Sequence, residues 1–247
     1  MKSPNINILP DLKGISHAAA AEFLKIGNAA IEENDRFTVA LAGGSTPRKL
    51  YEYLASDKYN SDIDWEKVFF FFGDERDVSP ASNQSNFKMA SEFLFKPLGI
   101  NKSNIFRWQT EIIDAPGIAD QYEKTIRKFF GLKAGEFPRF DLTLLGMGED
   151  GHTASLFPRT SALNETAKIT AANLVKQIRS FRLTLTFPTI NNSANILLLV
   201  SGEGKAKTLQ KVLENDFDAE KFPVQCIKPE NGKLTWLVDE AAAQFLK

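Results

Sequence analysis

The stretch Phe140-Asp-Leu-Thr-Leu-Leu-Gly-Met-Gly-Glu-Asp-Gly-His-Thr-Ala-Ser-Leu-Phe-Pro158 decides how the chain is read. Its first six residues predict a buried strand. Gly146, Gly148 and Gly151 then let the backbone bend sharply and leave its N–H groups uncovered. A short helix is expected next, cut off before Pro158, with His152 in its first turn. Glu149, Asp150 and His152 put three proton-handling side chains at the mouth of the turn, at the kind of strand carboxyl end where open α/β sheets place their ligands. The only other histidine, His17, falls at the start of a helical pattern and reads as a surface residue.

The spacing Gly146-x-Gly148-x-x-Gly151 also matches a dinucleotide-binding fingerprint. Its context opposes that use. The following helix is cut short, and no strand ending in an acidic residue follows about twenty residues on. Asp150-Gly151-His152 points to proton transfer instead.

Working outward, Phe37 to Ala42 predicts a buried strand that delivers Gly43-Gly44-Ser45-Thr46-Pro47 into a helix. Pro47 suits a first helical turn, and Ser45 or Thr46 suits its cap. Two glycines before a helix N-terminus form a cradle of free N–H groups for a phosphate, with hydroxyls beside them; a plain capped corner is the alternative. Val68-Phe-Phe-Phe-Phe72 reads as a central strand ending in Gly73-Asp74-Glu75-Arg76-Asp77. Those charges either face a cleft or form a solvated loop. Further strands are expected at 182–187, 195–200 and 234–238, and helices at 16–31, 85–97, 118–129 and 241–246. The strand at 195–200 runs into Ser201-Gly-Glu-Gly-Lys205, which places Lys205 near a helix start, where the dipole disfavours a cation. A bound anion explains that placement; a solvated lysine is the plain alternative.

Alternating strands and helices predict an α/β fold with a mostly parallel, twisted, Rossmann-like sheet covered by helices on both faces, as one domain over 1–247. The loops 43–47, 73–77, 146–152 and 201–205 then converge on one sheet edge. Together they supply a phosphate cradle, charged clusters, a histidine and a lysine, an inventory for holding a phosphorylated metabolite and moving a proton on it.

At 43% hydrophobic and 25% charged residues, the composition is that of a globular protein. A net charge of −1 without a basic run argues against nucleic acid as partner. No segment approaches a membrane span, and the first residues lack an apolar secretory core. A single cysteine, Cys226, excludes an internal disulfide and argues against a cysteine-ligated metal. These features suggest a cytoplasmic protein and leave its assembly open between a monomer and a small homo-oligomer.

Leu41-Ala-Gly-Gly-Ser-Thr-Pro47, Gly73-Asp-Glu-Arg76 with Ser85-Asn86, the Leu144–Pro158 stretch and Gly202-Glu-Gly-Lys-Ala206 resemble, in that order, the motifs of the 6-phosphogluconolactonase family. The related glucosamine-6-phosphate deaminases share Gly-Ser-Thr-Pro and Asp-Gly-His. They typically carry Asp-Glu-Tyr where this chain has Asp74-Glu75-Arg76, and Ile-Ala-Phe-Asn-Glu where it has Thr153-Ala-Ser-Leu-Phe157.

The resemblance implies a carboxylic ester hydrolase that opens 6-phospho-D-glucono-1,5-lactone, the second step of the oxidative pentose phosphate pathway, with no metal or organic cofactor. It makes His152 the general base, with Asp74 or Asp150 supporting it; a plain turn-forming role for Asp150 is the alternative. It places the 6-phosphate on Gly43, Gly44, Ser45 and Thr46, with charge from Arg76, Lys205 and Arg182, the last of which equally reads as a strand start. The role of Glu149 stays open. Rival functions are an amino-sugar-phosphate deaminase or isomerase and a non-catalytic sugar-phosphate sensor.

Overall fold

The computed structural model describes residues 5–112 and 114–247. In chain order these form β1 (Asn5–Leu9), α1 (Leu12–Asn34), β2 (Phe37–Leu41), α2 (Ser45–Leu54), β3 (Val68–Phe72), β4 (Asp74–Arg76), α3 (Asn86–Ala90), α4 (Lys96–Leu98), α5 (Ala115–Phe130), β5 (Leu142–Gly146), β6 (Thr170–Val175), β7 (Ser180–Leu185), α6 (Phe187–Asn191), β8 (Asn195–Val200), α7 (Ala206–Glu214), β9 (Lys233–Asp239) and α8 (Glu240–Ala243). A π-helical turn, Ser91–Phe95, joins α3 to α4.

The main sheet has six strands in the order β1-β9-β8-β5-β2-β3, every pair parallel. From β2 the chain steps outward to β3. It then returns to β5 on the other side of β2 and continues outward through β8 and β9. The direction of winding therefore reverses between β2 and β5, and the crevice above their carboxyl ends is where such a sheet binds its ligand. β4, β7 and β6 form a second, antiparallel sheet of three strands.

The run Val68–Phe72 fills the interior as its composition predicts. Phe71 is fully buried, stacked on Phe106 at 4.6 Å between ring centres and edge-on to Phe140 at 5.2 Å. Just beyond the strand ends, side chains take over the backbone bonding. The Tyr51 hydroxyl donates to Ala42 O (2.7 Å) and accepts from Ala42 N (3.1 Å), while Phe72 N donates to the Tyr122 hydroxyl and Trp108 Nε1 to Phe72 O. The crevice floor is thus anchored by buried groups with few alternatives.

Several expectations are corrected. No helix follows Gly151: residues 151–160 form turns with a bridge between Thr153 and Leu156, and Ala154 has φ 47°. Thr153 Oγ1 instead donates to Gly146 O at 2.8 Å and closes the segment on itself. The cap of α2 is Gly44, at φ 104°, and no side chain caps it; Ser45 and Thr46 are already helical. α1 begins earlier than expected, capped by Asp11, whose side chain accepts from Gly14 N at 2.7 Å. Pro97 lies inside α4, which stops at Gly99. Strands β1 and β6 have no counterpart among the expected strands, and Asp74–Arg76, expected within a loop, is strand β4, paired with β7. His17 is half-buried, with Nδ1 2.9 Å from the Tyr59 hydroxyl and its ring against Tyr53. Among the described residues, no helix is long and apolar enough to cross a membrane.

Candidate active site

A cleft of about 390 Å³ opens at the reversal point between β2 and β5. Gly43, Gly44, Ser45, Thr46, Asp74, Arg76, His152, Arg182 and Lys205 all line it. Of the expected site residues only Asp150 is absent from the lining, and it reaches the cleft through His152.

His152 Nδ1 lies 2.5 Å from Asp150 Oδ1, and the same oxygen accepts from His152 N at 3.2 Å. A carboxylate accepts from Nδ1–H, which leaves the lone pair on Nε2, the nitrogen that Asp150 does not occupy. Burial pushes the Asp150 carboxyl up, but its hydrogen bond to His152 and the nearby imidazole outweigh this and hold it below the usual carboxylate value. The turn itself is tight: Gly148 N donates to His152 O (2.9 Å), and Gly151 N donates to Gly148 O (3.1 Å). His152 is not helical, so its orientation is set by the contact with Asp150 rather than by a helix start.

Asp74 is committed elsewhere. Its carboxylate accepts from Ser155 Oγ (2.7 Å) and from Asn86 Nδ2 (3.2 Å), and it is almost fully buried. The expectation that Asp74 or Asp150 touches His152 therefore resolves to Asp150. Next to it, Glu75 holds the start of α3 by accepting from Asn86 N, Phe87 N, Ser85 Oγ and Arg76 N at 2.8–3.1 Å. Burial raises the Glu75 carboxyl above its ordinary value, against the pull of those backbone donors.

Three cations line the same cleft. Arg76 on β4 and Arg182 on β7 are register partners in an antiparallel pair, so their side chains leave the same face of the small sheet. Arg76 Nη1 donates to Gln84 O at 2.6 Å. Burial, and then the charge of Arg76, lower Arg182 from its ordinary value. Lys205 closes the single 3-10 turn before α7, and burial lowers it below the usual lysine range against the pull of Glu149 and Asp239. Among the described residues none of the three has a carboxylate oxygen within 4.0 Å. Three cations in one cleft, none of them held in a close ion pair among the described residues, are the electrostatic complement of a phosphate.

The family profile described as glucosamine-6-phosphate isomerases/6-phosphogluconolactonase matches residues 10–236. The chain belongs to that family. It is 41% identical over 219 residues to a 6-phosphogluconolactonase of Synechocystis, 88% of each chain, and 38% identical over 242 residues to one of Nostoc, 98% of each. The solved 6-phosphogluconolactonase of Trypanosoma brucei superposes with a TM-score of 0.89 over 99% of both chains at 28% identity.

Within this family frame, some lining residues carried no signal that the sequence reading used. Phe157 stacks on the His152 ring with centres 4.1 Å apart and planes at 20°, yet a phenylalanine before a proline reads only as core. Ile178 lines the cleft while 44% exposed, from the tip between β6 and β7. Glu149 is exposed, its carboxylate packed over Gly204, where a Cβ would stand 2.7 Å from Oε1. Among the described residues no cluster of three or more His, Cys, Asp or Glu side chains is placed to hold a metal ion.

Proposed function

We propose that this chain hydrolyses 6-phospho-D-glucono-1,5-lactone to 6-phosphogluconate, the second step of the oxidative pentose phosphate pathway, in the cytoplasm. The observation that carries this is one cleft lined by an Asp150-held imidazole and three cations, Arg76, Arg182 and Lys205. The names of its relatives agree with it.

In this reading the sugar phosphate docks with its phosphate on the backbone N–H groups of Gly43, Gly44, Ser45 and Thr46, bracketed by Arg76, Arg182 and Lys205. His152 Nε2 takes a proton from a water molecule as the water oxygen bonds to the lactone carbonyl carbon. Negative charge moves onto the carbonyl oxygen; Gly148 N and Gly151 N donate within the turn itself, so the donors for it are other N–H groups of the turn. When the intermediate collapses, the bond from the carbonyl carbon to the ring oxygen breaks, and His152 returns the proton to that oxygen. The new carboxylic acid then ionises. Asp150 holds the imidazole in the productive tautomer and stabilises its transient positive charge.

The test is a substrate comparison with the purified wild-type protein. Loss of freshly generated lactone well above its spontaneous rate, with no ammonia released from glucosamine 6-phosphate, supports the reading. Ammonia release without lactone hydrolysis overturns it, and so does binding of 6-phosphogluconate without turnover of either substrate.

A further inference from the structure

Each strand of the small antiparallel sheet holds the segment that carries Phe157. From β4, Asp74 Oδ2 accepts from Ser155 Oγ at 2.7 Å. From β7, Thr184 Oγ1 accepts from Ser155 N at 3.3 Å. From β6, the fully buried Asn173 uses one Nδ2 to donate to Ser155 O (2.9 Å) and to Thr160 Oγ1 (3.0 Å), and Thr160 Oγ1 in turn donates to Phe157 O at 2.7 Å. The backbone is thus pinned on both sides of Phe157. Ala154 at φ 47°, a conformation costly for a residue with a Cβ, is kept in place by those bonds. What the clamp delivers is one aromatic face against one imidazole, 4.1 Å apart and nearly parallel.

We propose that Phe157 is a positioning residue for His152, and that the small sheet acts through Asn173, Thr184 and Asp74 to hold it there. The ring wall removes the imidazole's freedom to swing away from Asp150. Its negative π-face also favours the imidazolium that forms when His152 accepts a proton. Asp150 contacts the same imidazole from its own turn, and the other charges lining that cleft are Asp74 and Arg76 from β4, Arg182 from β7 and Lys205 from the loop before α7. Removing Phe157 changes none of them, so its contribution separates cleanly. The catalytic half of this inference rests on His152 being the base.

The variants are Phe157→Leu, Phe157→Tyr and, at a distance, Asn173→Ala. Phe157→Leu is expected to lower kcat for lactone hydrolysis about tenfold with KM within about twofold. It moves the acid limb of kcat/KM to lower pH by about half a unit, the size expected for loss of a π-face beside a cation. Phe157→Tyr keeps the face and restores both. Asn173→Ala, which loosens the clamp and leaves the ring in place, lowers kcat in the same direction with a smaller shift of the limb.

A second readout needs no turnover. With only two histidines in the chain, the ring C–H resonances are assigned by comparison with His17→Gln, and the His152 signal is followed against pH. Its titration moves down in Phe157→Leu and not in Phe157→Tyr. A His152 signal that titrates alike in wild type and Phe157→Leu overturns the inference even if turnover has dropped. A wild-type protein without lactonase activity, whose His152 titration nevertheless follows Phe157, would instead sink the proposed function and leave the contact standing.

Discussion

A Cβ on Gly148 would stand 2.1 Å from His152 Nδ1 and 2.6 Å from Asp150 Oδ1, so the absence of a side chain at 148 is what lets the histidine and its carboxylate meet. Gly148→Ala must displace one of them. Misplacement on the scale of an ångström costs on the order of 100-fold in rate. The expected result is a fall of that order in kcat with the melting temperature nearly unchanged, checked by steady-state kinetics beside a thermal melt. Wild-type kcat would mean that the turn opens without cost to the reaction.

Asp150→Asn keeps the size of the side chain but can offer an N–H to Nδ1, which then has to accept, placing the proton on Nε2. A reversed tautomer leaves no base facing the substrate. Turnover is expected to fall by roughly 10²- to 10⁴-fold, the range known for carboxylates that orient catalytic histidines. Affinity for 6-phosphogluconate, followed by calorimetry, is expected to hold.

Arg76 and Arg182 are register partners across β4 and β7, and among the described residues neither has a carboxylate oxygen within 4.0 Å. Like charges opposed in a sheet cost up to about 1 kcal/mol, and a bound phosphate reverses the sign. Arg182→Ala is therefore expected to leave the ligand-free melting temperature unchanged or higher, while the upward shift produced by saturating 6-phosphogluconate shrinks. An undiminished shift would remove Arg182 from the phosphate site.

Burial holds Lys205 below the ordinary lysine value of 10.5, so its ammonium deprotonates earlier than an exposed lysine. The charged form is the one the folded state disfavours. It therefore costs stability at neutral pH, and that cost is relieved as pH rises through the folded-state value. Phosphate binding runs the other way, since it needs the charge. Affinity for 6-phosphogluconate is expected to weaken as pH is raised toward the ordinary lysine value of 10.5, and Lys205→Arg, charged throughout that range, flattens the dependence. Wild-type affinity that does not change over the range would contradict the role given to Lys205.

Glu75 differs from its neighbours in having no opening to the cleft lining. It satisfies three backbone N–H groups and the Ser85 hydroxyl in a buried position. Glu75→Gln replaces an acceptor oxygen by a donor that faces other donors, at a cost of about 1–3 kcal/mol. The melt should fall by several degrees.

What was legible in the sequence followed from contrast. Val68–Phe72 is apolar at every position and is followed at once by charge, so both the central strand and the charged edge beside the cleft stood out. The same contrast located Gly43–Thr46, His152 and Lys205, and the structure brings all of them to one cleft. β1 and β6 gave no such contrast. Asn5–Leu9 alternates polar and apolar residues on a sheet edge, and Thr170–Val175 carries small and polar residues whose partners lie far along the chain. The helix expected after Gly151 failed because Thr153, Ser155 and Thr160 spend their hydroxyls on the backbone and on Asp74, which holds that segment in turns. Local propensity could not report bonds made to residues 74, 173 and 184. The choice between Asp74 and Asp150 as partner of His152 was likewise a matter of three-dimensional contact, because both flank glycines at strand ends.

The most direct test of the central claim is hydrolysis of freshly generated 6-phosphogluconolactone by wild type and His152→Ala, corrected for the spontaneous reaction, with 6-phosphogluconate affinity measured on the same preparations. The account predicts a loss of about 10²- to 10⁴-fold in kcat with affinity within a few-fold of wild type. A His152→Ala protein that still turns the lactone over at close to the wild-type rate would contradict it.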